Sequence, residues 1–268
     1  MESSTSKTLA PYTPQEFHAA VLATRPRTAV FDCDGTLWGP DSGLGFLLWS
    51  LEHGMVSPER QAWIKERYRL YEAGTVDEAT ICGEMVQLYA GLPVAAIRTS
   101  ARAYYEARVV GHIFPAMAAL VSALHDAGTE LWAVSSTSKW VIEAGVWGDG
   151  RGRFQIPPER ILAVEVAVEA ADQTAGLFPT GGPGNAPEHG PVRELVTDRL
   201  IAVPTDEAKA AALAVVGLAH PDAVFGNSIH DAAMLAIARD PFPVNPTPGL
   251  RELARLQGWR LFEPMEPV

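Results

Sequence analysis

Two aspartates close a short apolar run at Thr28-Ala-Val-Phe-Asp32-Cys-Asp34, and Gly35 and Thr36 follow them. Carboxylates leaving a buried strand are costly to keep ionised and unpaired. A hard cation such as Mg2+, which takes oxygen ligands, offsets that cost. The plainer alternative is an acidic turn at a strand end. Three further segments bear reactive side chains where an apolar run stops or a helix starts. Ser135-Ser136-Thr137 ends the run Glu130–Val134, and a helix N-cap is the plain reading of Ser135. Lys209 stands among small apolar residues after Pro204-Thr205, where an ordinary surface lysine is the default. Gly226-Asn227-Ser228-Ile229-His230-Asp231 follows the run Ala223–Phe225.

The elements that must position these groups follow from periodicity. Thr13–Ala23 reads as a short helix capped by Thr13. From Gly39 to Phe114 no strand pattern occurs. Phe46, Leu47, Leu48, Trp49 and Leu51, then Trp63, Ile64 and Tyr68, then Met85, Val86 and Tyr89 recur at helical spacing, punctuated by Gly54, Gly74, Gly91 and Gly111. This predicts four or five helices, too long for a simple crossover, and hence a helical cap at 39–114. After Pro115 strands and helices alternate. The strands are expected at 130–135, 160–168, 223–225, 242–244 and 260–262, with further candidates at 176–178 and 200–203. The helices are expected at 116–127, 138–146, 206–218, 230–238 and 249–257. Repeated strand–helix units imply an α/β fold, a mostly parallel sheet with helices on both faces. The expected domains are a tail and short helix at 1–26, a core at 27–38 and 115–268, and the cap. Ligands in such sheets bind beyond the C-terminal strand ends.

Composition narrows the function. The 268 residues are 47% hydrophobic and carry a net charge of −11. That describes a globular chain with a sizeable core and argues against a broad nucleic-acid interface. Only Cys33 and Cys82 occur, so no disulfide framework or cysteine-built zinc site is expected. No apolar run approaches the ~20 residues that span a bilayer, and the start has no secretory-signal pattern. The expectation is a cytoplasmic protein without a membrane partner; its oligomeric state is not legible.

The four segments together resemble the haloacid dehalogenase superfamily, most closely the phosphatase branch that contains phosphoserine phosphatases. Order and spacing match from Ala29 to Asp231. The resemblance implies a Rossmann-like doubly wound core with an inserted all-helical cap. It makes Asp32 the nucleophile that takes the phosphoryl group as an aspartyl phosphate. It makes Asp34 the acid that protonates the departing alkoxide and the base that activates water. Ser135 would hydrogen-bond a phosphoryl oxygen, helped by the Ser136 and Thr137 amides entering the next helix. Lys209 is the best third-motif candidate, Lys139 lying too close to Ser135. Mg2+ would be held by the Asp32 carboxylate and the Asp34 carbonyl, with Asn227 and Asp231 completing the set. Without cations, an anionic nucleophile ~4 Å from a phosphate charge is repelled by roughly 4 kcal/mol at an effective dielectric of 20.

One position departs from the family pattern: Asn227 stands where the first aspartate of the fourth motif belongs, while Asp231 is kept. An amide oxygen ligates without supplying charge. Either the metal binds more weakly in a working enzyme, or the chain is a degenerate relative that binds without turnover. Asp41, nine residues beyond Asp32, matches an acid that in phosphoserine phosphatases meets the substrate ammonium; a helix N-terminal residue is the plain alternative. Trp38, Trp49 and Trp63 near the cap suit either core packing or a cation. His230, beside Asp231, is marked by position to face the ester. Cys33 is expected in the core, and 181–191 as a solvated excursion. The expected function is hydrolysis of a small phosphorylated metabolite, with an ammonium-bearing one suggested by Asp41; phosphotransfer through the same intermediate is the alternative.

Overall fold

The computed structural model describes residues 10–150, 152–171 and 193–264. Helix α1 (Pro14–Ala23) begins at Thr13, whose side chain and that of Glu16 cap each other's amides. Strand β1 (Thr28–Phe31) follows, then four helices: α2 (Ser42–Glu52), α3 (Pro58–Glu72), α4 (Glu78–Gln87) and α5 (Val94–Arg108). Asp41, Ser57 and Asp77 each accept an amide at the start of α2, α3 and α4, which sets where those helices begin. The chain continues through α6 (Pro115–Asp126), β2 (Glu130–Ser138) and α7 (Lys139–Ile142), which runs into a π-helical turn at Glu143–Trp147. Then come β3 (Ile161–Ala171), β4 (Arg193–Ala202), α8 (Glu207–Val215), β5 (Ala223–Gly226), α9 (Ala232–Ala236), β6 (Asp240–Pro243) and α10 (Pro248–Gln257).

The sheet order is β4-β3-β2-β1-β5-β6, parallel except for β4, which runs antiparallel to β3. Strand β1 is central, and Ala29, Val30 and Phe31 are all fully buried, as a strand covered on both faces requires. Alternation divides the core. Ala29, Phe31, Ala133 and Phe225 join the larger cluster shared with α1, α6 and the four helices. Val30, Val134 and Val224 join the smaller one with Leu213, Met234, Leu235 and Leu250 of α8, α9 and α10.

Main-chain hydrogen bonds tie the helical segment to the core at its crossing and at β4. Where the chain leaves and returns, Gly39 N–H donates to His112 O (3.0 Å) and Phe114 N–H to Leu37 O (3.0 Å). Beyond α4, Gly91 N–H donates to Val196 O of β4 (2.7 Å), and Val196 N–H to Leu92 O (2.9 Å).

Several boundaries differ from the sequence reading. Strand β2 continues to Ser138, because a register shift between Val134 and Ser138 lets Ser138 pair with Val164 of β3. Strand β4 begins at Arg193, well before Leu200, held by its antiparallel partner β3. The stretch 230–238 is a 3-10 turn followed by the short α9. Phe262 forms single bridges to Tyr12 and Val244 in place of a strand. The candidate strand at 176–178 and the excursion at 181–191 lie outside the described residues. No helix among the described residues is long and apolar enough to cross a membrane.

Candidate active site

Asp32 directly follows β1, and its N–H still pairs with Phe225 O (2.9 Å), so the sheet fixes its backbone. Lys209, on the first turn of α8 and only 2% exposed, places Nζ 2.8 Å from Asp32 Oδ1 and 2.5 Å from Asp231 Oδ1. Thr36 Oγ1 donates to Asp32 Oδ2 (3.1 Å). Asp231 Oδ2 accepts from the Asn227 and Ser228 amides, both at 2.9 Å, and from Ser228 Oγ (3.3 Å). Two glycines make this closeness possible. A Cβ on Gly35 (φ +75°) would lie 1.8 Å from Asn227 Nδ2, and one on Gly226 would lie 2.6 Å from Asp231 Cβ.

Two buried carboxylates therefore share one ammonium. Burial, then Asp231, raise the Asp32 pKa against the pull of Lys209. Burial opposes the Lys209 charge, but Asp231 and Asp32 outweigh it and raise its pKa.

Asp34 is held by three donors. Oδ1 accepts from Trp38 Nε1 and Ser42 Oγ, each at 2.6 Å, and Oδ2 accepts from Thr137 Oγ1 at 2.8 Å. Burial, followed by the charge of Asp41, pushes its pKa up to about 6 against these hydrogen bonds.

Ser135 lines the same cavity, and its Oγ accepts from the Thr137 amide at 3.2 Å. Because β2 runs on to Ser138, the Ser136 and Thr137 amides belong to a strand, which corrects the expected helix start there. Ser135 is accordingly no helix cap; Ser138 holds that position.

The cavity of about 260 Å³ joins these strand ends to the helical segment. Asp32, Ser135, Lys209 and Asn227 line one side, and Asp41, Tyr68, Tyr71 and Glu78 the other. Asp41 caps α2 through the Leu44 amide (2.8 Å) while its carboxylate opens to the cavity. Burial, and Glu78 behind it, raise its pKa. Glu78 accepts from Tyr71 Oη and sits 3.6 Å from Cys82 Sγ. His230 lines the cavity with Nδ1 2.7 Å from Asp206 Oδ1, so its ring is tied to the start of α8.

Sequence reasoning missed Glu78, Tyr68 and Tyr71. The spacing of the two tyrosines along α3, three residues apart, was the available signal, since it puts them on one face. Trp49 stacks on His53 (4.0 Å), Trp63 is 41% exposed, and neither lines this cavity. Cys33 is fully buried.

The donor set suits a hard cation. The Asp32 carboxylate, the Asp34 main-chain carbonyl and the Asn227 side-chain amide are all oxygen donors, and the Asp32 and Asp231 carboxylates share a single ammonium. Asp231 fits this set poorly. It is fully buried, committed to Lys209 and two amides, and is not among the cavity-lining residues, so it stands behind the site as an anchor. Among the described residues no three His, Cys, Asp or Glu side chains converge as metal ligands; any cation here relies on main-chain and amide oxygens as well.

The fold matches solved structures of low sequence identity. A protein of unknown function from Bordetella pertussis Tohama I aligns with TM-score 0.67 and 20% identity, covering 88% of this chain and 98% of that one. A substrate-bound phosphoserine phosphatase aligns with TM-score 0.51 and 12% identity, covering 85% and 90%. A probable phosphoserine phosphatase from Vibrio cholerae aligns with TM-score 0.59 and 13% identity, covering 91% and 62%. No match was found among curated protein sequences. The family model for haloacid dehalogenase-like hydrolases spans residues 29–236, from the first residues of β1 to the end of α9, and the chain belongs to that family.

Proposed function

We propose that the protein is a Mg2+-dependent phosphomonoester hydrolase that works through an aspartyl phosphate on Asp32. The observation that carries this reading is the pair Asp32–Lys209 at 2.8 Å beyond the end of β1, with Asp34 two residues on and facing the same cavity. Lys209 holds Asp32 in place and faces the incoming phosphoryl oxygens, Ser135 offers its hydroxyl to them, and Asp34 moves the proton to the leaving oxygen. Mg2+, held by Asp32, the Asp34 carbonyl and Asn227, would supply charge neutralisation of the phosphoryl group. The helical segment at 39–114 serves as the cap over this site. Two free buried cysteines agree with a reducing, cytoplasmic setting.

The substrate reading is a small phosphate ester whose alcohol part carries a cation. Across the cavity from Lys209 stand Asp41 and Glu78 with the rings of Tyr68 and Tyr71, a set that suits an ammonium. No arginine is among the described lining residues, so a carboxylate beside that ammonium would meet no guanidinium partner.

Phosphate release from a panel of phosphomonoesters, with Mg2+ and with chelator, tests this. Metal-dependent release is expected, with amino-alcohol phosphates ahead of neutral sugar phosphates. Silence on every ester overturns the reading, and ester exchange with an added alcohol in place of free phosphate would make the protein a transferase. Asn227→Asp should lower the half-saturating Mg2+ concentration by about tenfold, since ligand charge sets much of the affinity of an oxygen site.

A further inference from the structure

Trp38 is fully buried at the crossing where the chain leaves the sheet for the helical segment. Its carbonyl accepts from Gly35 N–H (2.7 Å), and its neighbours Leu37 and Gly39 pair with Phe114 and His112 of the returning chain. Its ring meets Tyr105 of α5 edge-on at 5.4 Å and Phe154 at 6.1 Å. The π-helical turn makes room for it. A Cβ on Gly145 would lie 3.0 Å from Trp38 Cη2 and 2.6 Å from Tyr105 Cε2.

A ring this deeply packed needs no polar atom, and an indole N–H without a partner there would be costly. The N–H instead reaches Asp34 Oδ1 at 2.6 Å, the same oxygen that Ser42 Oγ reaches at 2.6 Å. The other oxygen, Oδ2, meets only the Thr137 hydroxyl among these donors, at 2.8 Å. The two sides of the carboxyl group thus differ in kind. An indole N–H can only donate, whereas a threonine hydroxyl donates or accepts. Oδ1 is fixed as an acceptor; Oδ2 has a partner that accommodates either a bare oxygen or an O–H.

The geometry points to Trp38 as a positioning residue: with Ser42 it clamps Asp34 Oδ1, and so presents Oδ2 to the leaving group. This rests on the assignment of Asp34 as proton donor made above. In that step an Asp32 carboxylate oxygen bonds to phosphorus and the ester P–O bond breaks. The bond's electron pair leaves on the alcohol oxygen, which takes the proton from Asp34 Oδ2. The O–H electron pair stays on the carboxylate. Trp38 touches none of the reacting atoms and acts through Asp34.

The test compares esters that need leaving-group protonation with one that hardly does. kcat/KM is measured for an alkyl phosphate and for 4-nitrophenyl phosphate with the native protein, Asp34→Asn, Trp38→Phe and Ser42→Ala. Asp34→Asn should cost the alkyl ester about 100-fold more than the aryl ester, within the range for general acid catalysis. Trp38→Phe should reproduce the same bias at about tenfold, and Ser42→Ala should share its direction. If Trp38→Phe fails to fold, benzothienylalanine at position 38 keeps the bicyclic shape and removes only the N–H. Equal losses on both esters, or no loss, in the folded Trp38 variants overturn the positioning role while the Asp34 bias stands. No bias in Asp34→Asn removes the proton-donor assignment and this inference with it. A native protein inert on both esters ends the phosphatase reading itself.

Discussion

Asp32 and Asp222 stand at opposite ends of the same pair of strands, and their carboxyl groups are pushed in opposite directions. Asp222, just before β5, accepts from the Arg27 amide (2.7 Å), the Thr28 amide (3.2 Å) and Arg239 Nη1 (2.6 Å). Burial raises its pKa, but those amides and then the Arg239 charge outweigh it, and the result is a lowered pKa. Asp32, just after β1, shares one ammonium with Asp231 in full burial, and its pKa rises. One aspartate has more donors than it needs and fastens the sheet; the other has too few and keeps unspent negative charge. Carboxylates left out of balance inside a cavity are what a reacting site requires and what a structural joint avoids.

The sharpest way to break this contrast is to neutralise each end in turn. Asp32→Asn should cut phosphate release by more than about 1,000-fold, since an amide cannot form the acyl phosphate. Its Tm, measured in chelator, should lie at or above the native value, because the charge removed is one the fold holds at a cost. A clearly lower Tm would make Asp32 a structural group like Asp222. Lys209→Met removes the one ammonium that Asp32 and Asp231 share. Breaking a buried pair this way costs roughly 3–5 kcal/mol, readable in denaturant melts alongside the loss of activity.

Asp222→Asn should leave turnover intact and cost about 2 kcal/mol at pH 7, the scale of hydrogen bonds to a charged group. The sign with pH follows from the lowered pKa. The ionised group stabilises above its unfolded value of 3.8, and that contribution fades as pH falls through the lower folded value. The gap between native and variant stabilities should therefore narrow as melts are taken from pH 7 to acid pH below 3.8; a gap that stays as wide as at pH 7 would contradict the assignment. The smallest effect belongs to the helical side of the cavity. Asparagine caps a helix as well as aspartate does, so Asp41→Asn removes charge and keeps α2. It and Glu78→Gln should each raise KM about tenfold for amino-alcohol phosphates, roughly 1.4 kcal/mol, with neutral sugar phosphates unaffected. Equal rises for both classes would leave Asp41 as a cap alone.

Much of the sheet end was legible because strand alternation and strand-end chemistry are local. Asp32 and the Gly226–Asp231 segment could be read from the apolar runs beside them, whereas Lys209, 177 residues from Asp32, was picked out only by the motif order that the family resemblance implies. The partners of Asp34 were not legible. Ser42 lies eight residues on and Thr137 lies 103 residues on, and only packing decides that both face one carboxyl group. The run Ser135–Ser138 misled for a related reason. Four hydroxyl residues read as a helix start, yet pairing of Ser138 with Val164 extends the strand. Strand β4 was truncated in the same way, since its register comes from β3. Glu78 carried no distinguishing mark beyond its place at the start of α4.

The hydrogen bonds between Val196 of β4 and the Gly91–Leu92 turn bear on how firmly the helical segment is held to the sheet. A flap hinged at one crossing swings freely; one also fastened at its far side does not. Lifting the helical segment away from the sheet must first break that second fastening, where Gln87 Nε2 also donates to Asp198 O (2.6 Å). Main-chain bonds are indifferent to the side chains they join. The fit between the helical segment and the sheet can therefore be retuned along the surface of β4, by residues such as Leu200 where it meets Gly83, while the machinery around Asp32 stays as it is.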